Sequence, residues 1–124
     1  MRGKLEDLLS RARREGVSPK LCADFWIAMR MADRGERERI YAEAGNDLKK
    51  LIGEGLSYAD EDLVALIDSD LTLREIVRSV VDFMEAGELE ALLDRLIEAG
   101  MERSSLAGMV ISRLRRSGGA RAGI

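Results

Sequence analysis

Carboxylates are where this sequence could do chemistry. Asp60-Glu61-Asp62 and Asp68-Ser69-Asp70 bracket one short segment, and Glu85 and Glu88 stand one helical turn apart. Oxygens grouped in this way could hold a hard divalent cation. The pattern stops short of a metal site, however. The glycine and terminal glutamate of a calcium loop are missing, and the Glu85/Glu88 pair has no second acidic pair nearby. Acids in these places serve more simply at helix starts, where unpaired backbone N–H groups and the helix dipole favour them. Neither a metal nor a cofactor is expected.

Other catalytic groups are scarce. The chain has no histidine, so no imidazole is there for proton transfer near neutral pH. Its one cysteine, Cys22, lies between Leu21 and Ala23 in the most apolar stretch, the setting of a buried structural thiol. Gly118-Gly119 has no lysine behind it and follows no strand, so it makes no phosphate loop. The sequence therefore reads as a non-enzyme with no small-molecule substrate.

Charge offers a second chemistry. Residues 1–20 carry a net +3, residues 103–124 a net +5, and the middle a net −11. Arg11, Arg13 and Arg14 near one end and Arg113, Arg115 and Arg116 near the other could grip phosphates, which gives a nucleic-acid-binding subunit as the alternative function. Two facts favour a plainer use. These arginines fall where the first and last helices are expected to close, as the helix dipole prefers. The chain is also acidic overall, with few aromatic residues for stacking on bases.

The elements that position these groups are all helical. Leu5, Leu8, Leu9 and Ala12 predict a first helix over residues 4–15, stopped by Gly16. Ser18-Pro19 opens a second over 19–33 that is apolar nearly all round. A third is predicted over 36–53 after a turn at Arg34-Gly35, with a weak point at Gly45-Asn46 that could split it. A fourth spans 60–68, and Thr72 with Glu75 predicts a capping box for a fifth over 73–86. The sixth and seventh follow over 88–99 and 103–116. The expected fold is thus all-α, a bundle of six or seven short helices forming one domain over 1–116, with a flexible tail over 117–124.

A recurrent phrase raises the alternative of stacked helix pairs. An apolar-striped helix, a glycine and a hydrophobic residue recur at Gly16, Gly55 and Gly100, spaced 39 and 45 residues apart.

One anomaly points to a partner. On a wheel extended from the second helix, Lys20, Asp24, Arg30 and Arg34 share one polar arc, yet Ile27 and Met31 fall inside it. Two large apolar groups in a polar face mean extra burial or contact with another chain. Ile27, Met31, Arg30 and Arg34 are therefore the candidate partner-binding residues. The leading expectation is a small protein–protein interaction or assembly subunit, a homo-oligomer included.

Location follows from what is sparse. A single cysteine forms no internal disulfide, and the stretch Leu21–Ala32 is too short and too often charged to cross a bilayer. A cytoplasmic protein with no membrane partner is expected. Abundant Arg and Glu with one asparagine and no glutamine also suggest a hot-environment source.

Overall fold

Side-chain oxygens start most of the helices. The computed structural model describes residues 3–122, with side chains described for residues 3–116. Helix α1 spans Lys4–Glu15, and α2 spans Pro19–Met31 after Ser18, whose hydroxyl accepts the Leu21 N–H at 3.1 Å. Asp33 opens α3 (Arg34–Glu43) by accepting the Glu36 N–H at 2.8 Å. Helix α4 (Gly45–Gly55) runs into a 3₁₀ turn at Leu56–Tyr58, and Asp60 then caps α5 (Glu61–Ser69). Asp70 caps α6 (Leu71–Val81), and α7 (Ala86–Glu98) begins where the Glu88 carboxylate accepts the Glu85 N–H. Helix α8 covers Ser105–Ala122, its Ser104 hydroxyl accepting the Ala107 N–H. No strand occurs among the described residues.

The second helix ends at Met31 rather than at 33, the expected fifth (73–86) is Leu71–Val81, and the sixth begins at Ala86 rather than at 88. Four further departures from expectation have a physical reason. The predicted third helix is two, because the chain breaks at Ala44 (φ −128°, ψ 31°) just before Gly45. This raises the count to eight α-helices among the described residues. Helix α3 starts at Arg34, so Arg34-Gly35 lies inside the helix, with Asp33 as the cap. Thr72 does not cap α6. Asp70 takes that place, because its two oxygens can serve the helix start and other partners at once. Finally, α8 carries helical backbone through Ala122, so Arg113, Arg115 and Arg116 sit within it rather than at its end. Of the expected 117–124 tail, the last two residues and all the side chains lie outside those described.

Helix α2 occupies the middle of the bundle, as its apolar surface demands. Leu21, Cys22, Phe25, Trp26, Ala28 and Met29 are all buried, and the Phe25 and Trp26 rings meet edge to face at 5.0 Å. Burying a large apolar side chain of this kind contributes about 1.5–3 kcal/mol. Helix α2 packs on α1, α4 and α5; α4 also meets α1, α3 and α6; α8 closes the far side on α5, α6 and α7. In a linear array each helix pair touches only the next one. Here the first pair reaches the third through α2 and α5, so the contacts cross-brace the bundle. One brace joins distant ends: the Asp68 carboxylate accepts the Ser105 N–H at 2.9 Å, tying the end of α5 to the start of α8.

The three recurrent glycines are not equivalent. Gly16 (φ 86°) and Gly100 (φ 76°) end their helices in the left-handed region that disfavours side chains. Gly55 (φ −103°) has ordinary backbone. It is needed for space instead, since a Cβ there would stand 2.6 Å from the Cys22 sulfur. One letter therefore answers two unrelated demands.

Candidate functional site

The two apolar residues singled out on α2 reach solvent. Ile27 is 43% exposed and Met31 is 83% exposed. Their polar companions make ion pairs beside them. The Arg30 guanidinium donates to Asp62 at 2.6 Å, holding α2 to the start of α5. Arg34 donates to Glu38 at 3.2 Å within α3. Arg34 thus shares the surface but not the helix, because α2 stops at Met31 and the helical wheel ends with it.

A third apolar residue joins this surface through Arg37. Its guanidinium donates to the Ala32 carbonyl at 2.7 Å and to the Asp70 carboxylate at 3.2 Å. One planar group therefore spans the gap between the end of α2 and the start of α6. Met31 and Leu71 are the next residues along the chain from those two anchors. Leu71 is 69% exposed, so each residue beside an anchor of the clasp carries an uncovered apolar side chain. Asp70 also accepts the Tyr41 hydroxyl at 2.7 Å, which fixes α3 in the same knot. A shallow hollow of about 220 Å³ lies here between Arg34, Glu38 and Leu71.

Sequence reasoning missed Leu71 and Arg37. Leu71 closes the sequence Asp68-Ser69-Asp70-Leu71, which reads as a turn, and nothing there marks it as an exposed apolar residue opening a helix. The one available signal for Arg37 was its place after Asp33, where a helix start brings a long cation near the preceding helix's free carbonyls.

The six arginines of the alternative reading separate into two groups. At the end of α1, Arg11 pairs with Glu15 at 3.2 Å, Arg13 pairs with Asp47 on α4, and Arg14 is exposed. On α8, Arg113 donates to the Asp82 carbonyl at 3.3 Å and Arg116 to the Asp82 carboxylate at 3.1 Å, while Arg115 is exposed. Helix α1 packs on α2 and α4, whereas α8 packs on α5, α6 and α7. The groups therefore rest on different supports. Arg113 and Arg116 serve the end of α6, where the dipole welcomes cations.

The remaining reactive groups are held quiet. Burial pushes the Cys22 thiol up to about 11, with the charge of Asp60 adding to the effect. A thiol so raised is a poor nucleophile at neutral pH. The Tyr41 phenol is driven far above its ordinary range by burial and then by its hydrogen bond to Asp70. Asp60 and Asp70 cap helices, Asp62 pairs with Arg30 and Asp68 caps α8 from outside. Among the described residues, no three acids or thiols gather in a way that would hold a metal ion. None of the helices described is long and apolar enough to cross a membrane.

The chain matches no protein-family model, no curated protein and no solved structure with which it was compared.

Proposed function

We propose that this chain is a small cytoplasmic assembly subunit without catalytic activity, which docks through Ile27, Met31 and Leu71 on a second copy of itself. The observation that carries the reading is the exposure of Ile27, Met31 and Leu71. They are large apolar side chains on two helices, and a half-buried arginine joins the end of one helix to the start of the other. Large apolar groups clustered and rimmed by charge are what an interface presents before its partner arrives.

Charge on the rim suits a two-fold pair. Arg34 and Glu38 are both well exposed and form a weak one-turn ion pair. A symmetric partner lets Arg34 of each copy meet Glu38 of the other, as a self-complementary surface requires. The nucleic-acid alternative draws less support, because its two arginine groups rest on different helices, α1 beside α2 and α4, α8 beside α5, α6 and α7.

Light scattering over a wide concentration range tests the proposal. A mass that rises from one chain to two, and that Met31→Asp or Leu71→Asp returns to one, is the expected result. A single-chain mass at every concentration overturns it, and salt-sensitive binding of a nucleic-acid strand would then favour the alternative.

A further inference from the structure

A cleft of about 320 Å³ lies between α6 and α8, and neither the docking surface nor the helix caps explain it. Arg74, Arg78 and Arg116 line it together with Asp82, Ser112 and Gly108. Three guanidinium groups and one carboxylate thus line it, with Glu75 paired to Arg78 and the Asp68 carboxylate held by the lining residue Ser105.

Arg74 keeps its charge free, and Arg78 and Arg116 are held only by exposed ion pairs. Arg74 donates to the Ile67 and Asp68 carbonyls, at 3.2 and 2.6 Å. Those oxygens are neutral, so the group is fixed in place without being neutralised. A guanidinium has five N–H donors, and these two contacts leave the others for the cleft. Arg78 pairs with Glu75 at 2.8 Å, but both are exposed and one turn apart, a pair of small worth that a better acceptor can displace. Arg116 shares Asp82 with the opposite wall at 3.1 Å.

The arrangement carries an electrostatic cost. Arg74 and Arg78 are like charges four residues apart on one helix, an unfavourable spacing, and Arg116 adds a third cation across the gap. An anion between them would reverse the sign of the cost. Space is open to receive one, since a Cβ placed on Gly108 would meet nothing within 4 Å. The serine hydroxyl of Ser112 supplies a neutral donor on the same wall.

We infer that this cleft binds the phosphoryl or pyrophosphoryl group of a small ligand, with Arg74, Arg78 and Arg116 as its donors. Guanidinium is the side chain best matched to such oxygens, through paired charge-assisted hydrogen bonds. The volume leaves room for an organic portion beside the anion.

Titration calorimetry on the full chain at constant ionic strength tests the inference, using inorganic phosphate, pyrophosphate and adenosine monophosphate, with sodium chloride as the control. Saturable heat with pyrophosphate and a higher melting temperature than in chloride are expected. Tighter binding of the nucleotide than of phosphate identifies a nucleoside-bearing ligand, and equal binding identifies the free anion. Gly108→Asp places a carboxylate among the arginines; it should weaken binding by about tenfold or more, and the anion-free melting temperature should not fall, because the new charge offsets the crowded cations. Arg78→Ala, an exposed change, should weaken it similarly. No heat beyond the chloride control, or binding that both variants leave intact, overturns the inference. So does a DNA strand that binds when pyrophosphate does not, because the arginines would then act as an extended basic face.

Discussion

The Tyr41 hydroxyl donates to the Asp70 carboxylate at 2.7 Å, across 29 residues of sequence. The same carboxylate accepts the Arg37 guanidinium and, through its other oxygen, the Leu73 N–H that starts α6. One side chain thus fixes the relation among α2, α3 and α6, the frame on which the proposed docking surface rests.

Removing that carboxylate should be costly. Asp70→Ala deletes a helix cap and strands a half-buried cation and a hydroxyl, a loss of about 2–4 kcal/mol. Asp70→Asn keeps one oxygen for the cap but puts an amide NH2 where the Tyr41 hydroxyl and the Arg37 guanidinium need an acceptor, so only the cap's share of that loss is spared. Urea unfolding of the two variants separates these values. Equal losses would mean that the cap contributes nothing.

Alkaline pH should unfold the protein in a predictable window. The fold holds the Tyr41 and Cys22 protons more tightly than the unfolded chain does, because both pKa values are raised by burial first. The folded state therefore binds more protons, and stability must fall as pH rises. The Cys22 contribution is whole below its ordinary 9.0 and is lost on the way to about 11. That of Tyr41 begins to fade at 10.0 and continues upward. Urea midpoints from pH 8 to 11 give the slope, and Tyr41→Phe should make it shallower above 10. An unchanged slope would show that the phenol keeps its proton no better folded than unfolded.

Gly55 and Cys22 should behave as one unit. Gly55→Ala drives a methyl group into the Cys22 sulfur, with Val17 only 3.5 Å away on another side, so overpacking of about 1–3 kcal/mol follows. Cys22→Ala alone leaves a small void and also destabilises. Together the changes relieve each other, and the double variant should be more stable than the two losses added. Simple additivity would show that the backbone moves apart and the contact does not matter.

The limits of sequence reading here follow from the range of the forces involved. Helices α1 and α2 were legible to the residue at their starts, because leucine spacing and Ser18-Pro19 act locally. The break at Gly45 showed as a weak point for the same reason. Asp70 was misjudged because its advantage over Thr72 as a cap includes Tyr41 and Arg37, which come from another helix. The C-terminal arginines were misplaced in role, since α8 extends past them and lays Arg113 and Arg116 against Asp82 of α6. Of the docking surface, Ile27 and Met31 stood out as apolar intruders in a polar arc. Leu71 gave no such sign, because it reads as part of a turn and its tie to α2 runs through Arg37 and Asp70.

The bond from Ser105 to Asp68 makes a loop of everything between them. Helices α6 and α7 leave and return through one doorway, with Phe83 exposed in the turn between them. A protease cut beside Phe83 would therefore sever the polypeptide without releasing either piece, and two separately made halves divided there should find each other and rebuild the intact body.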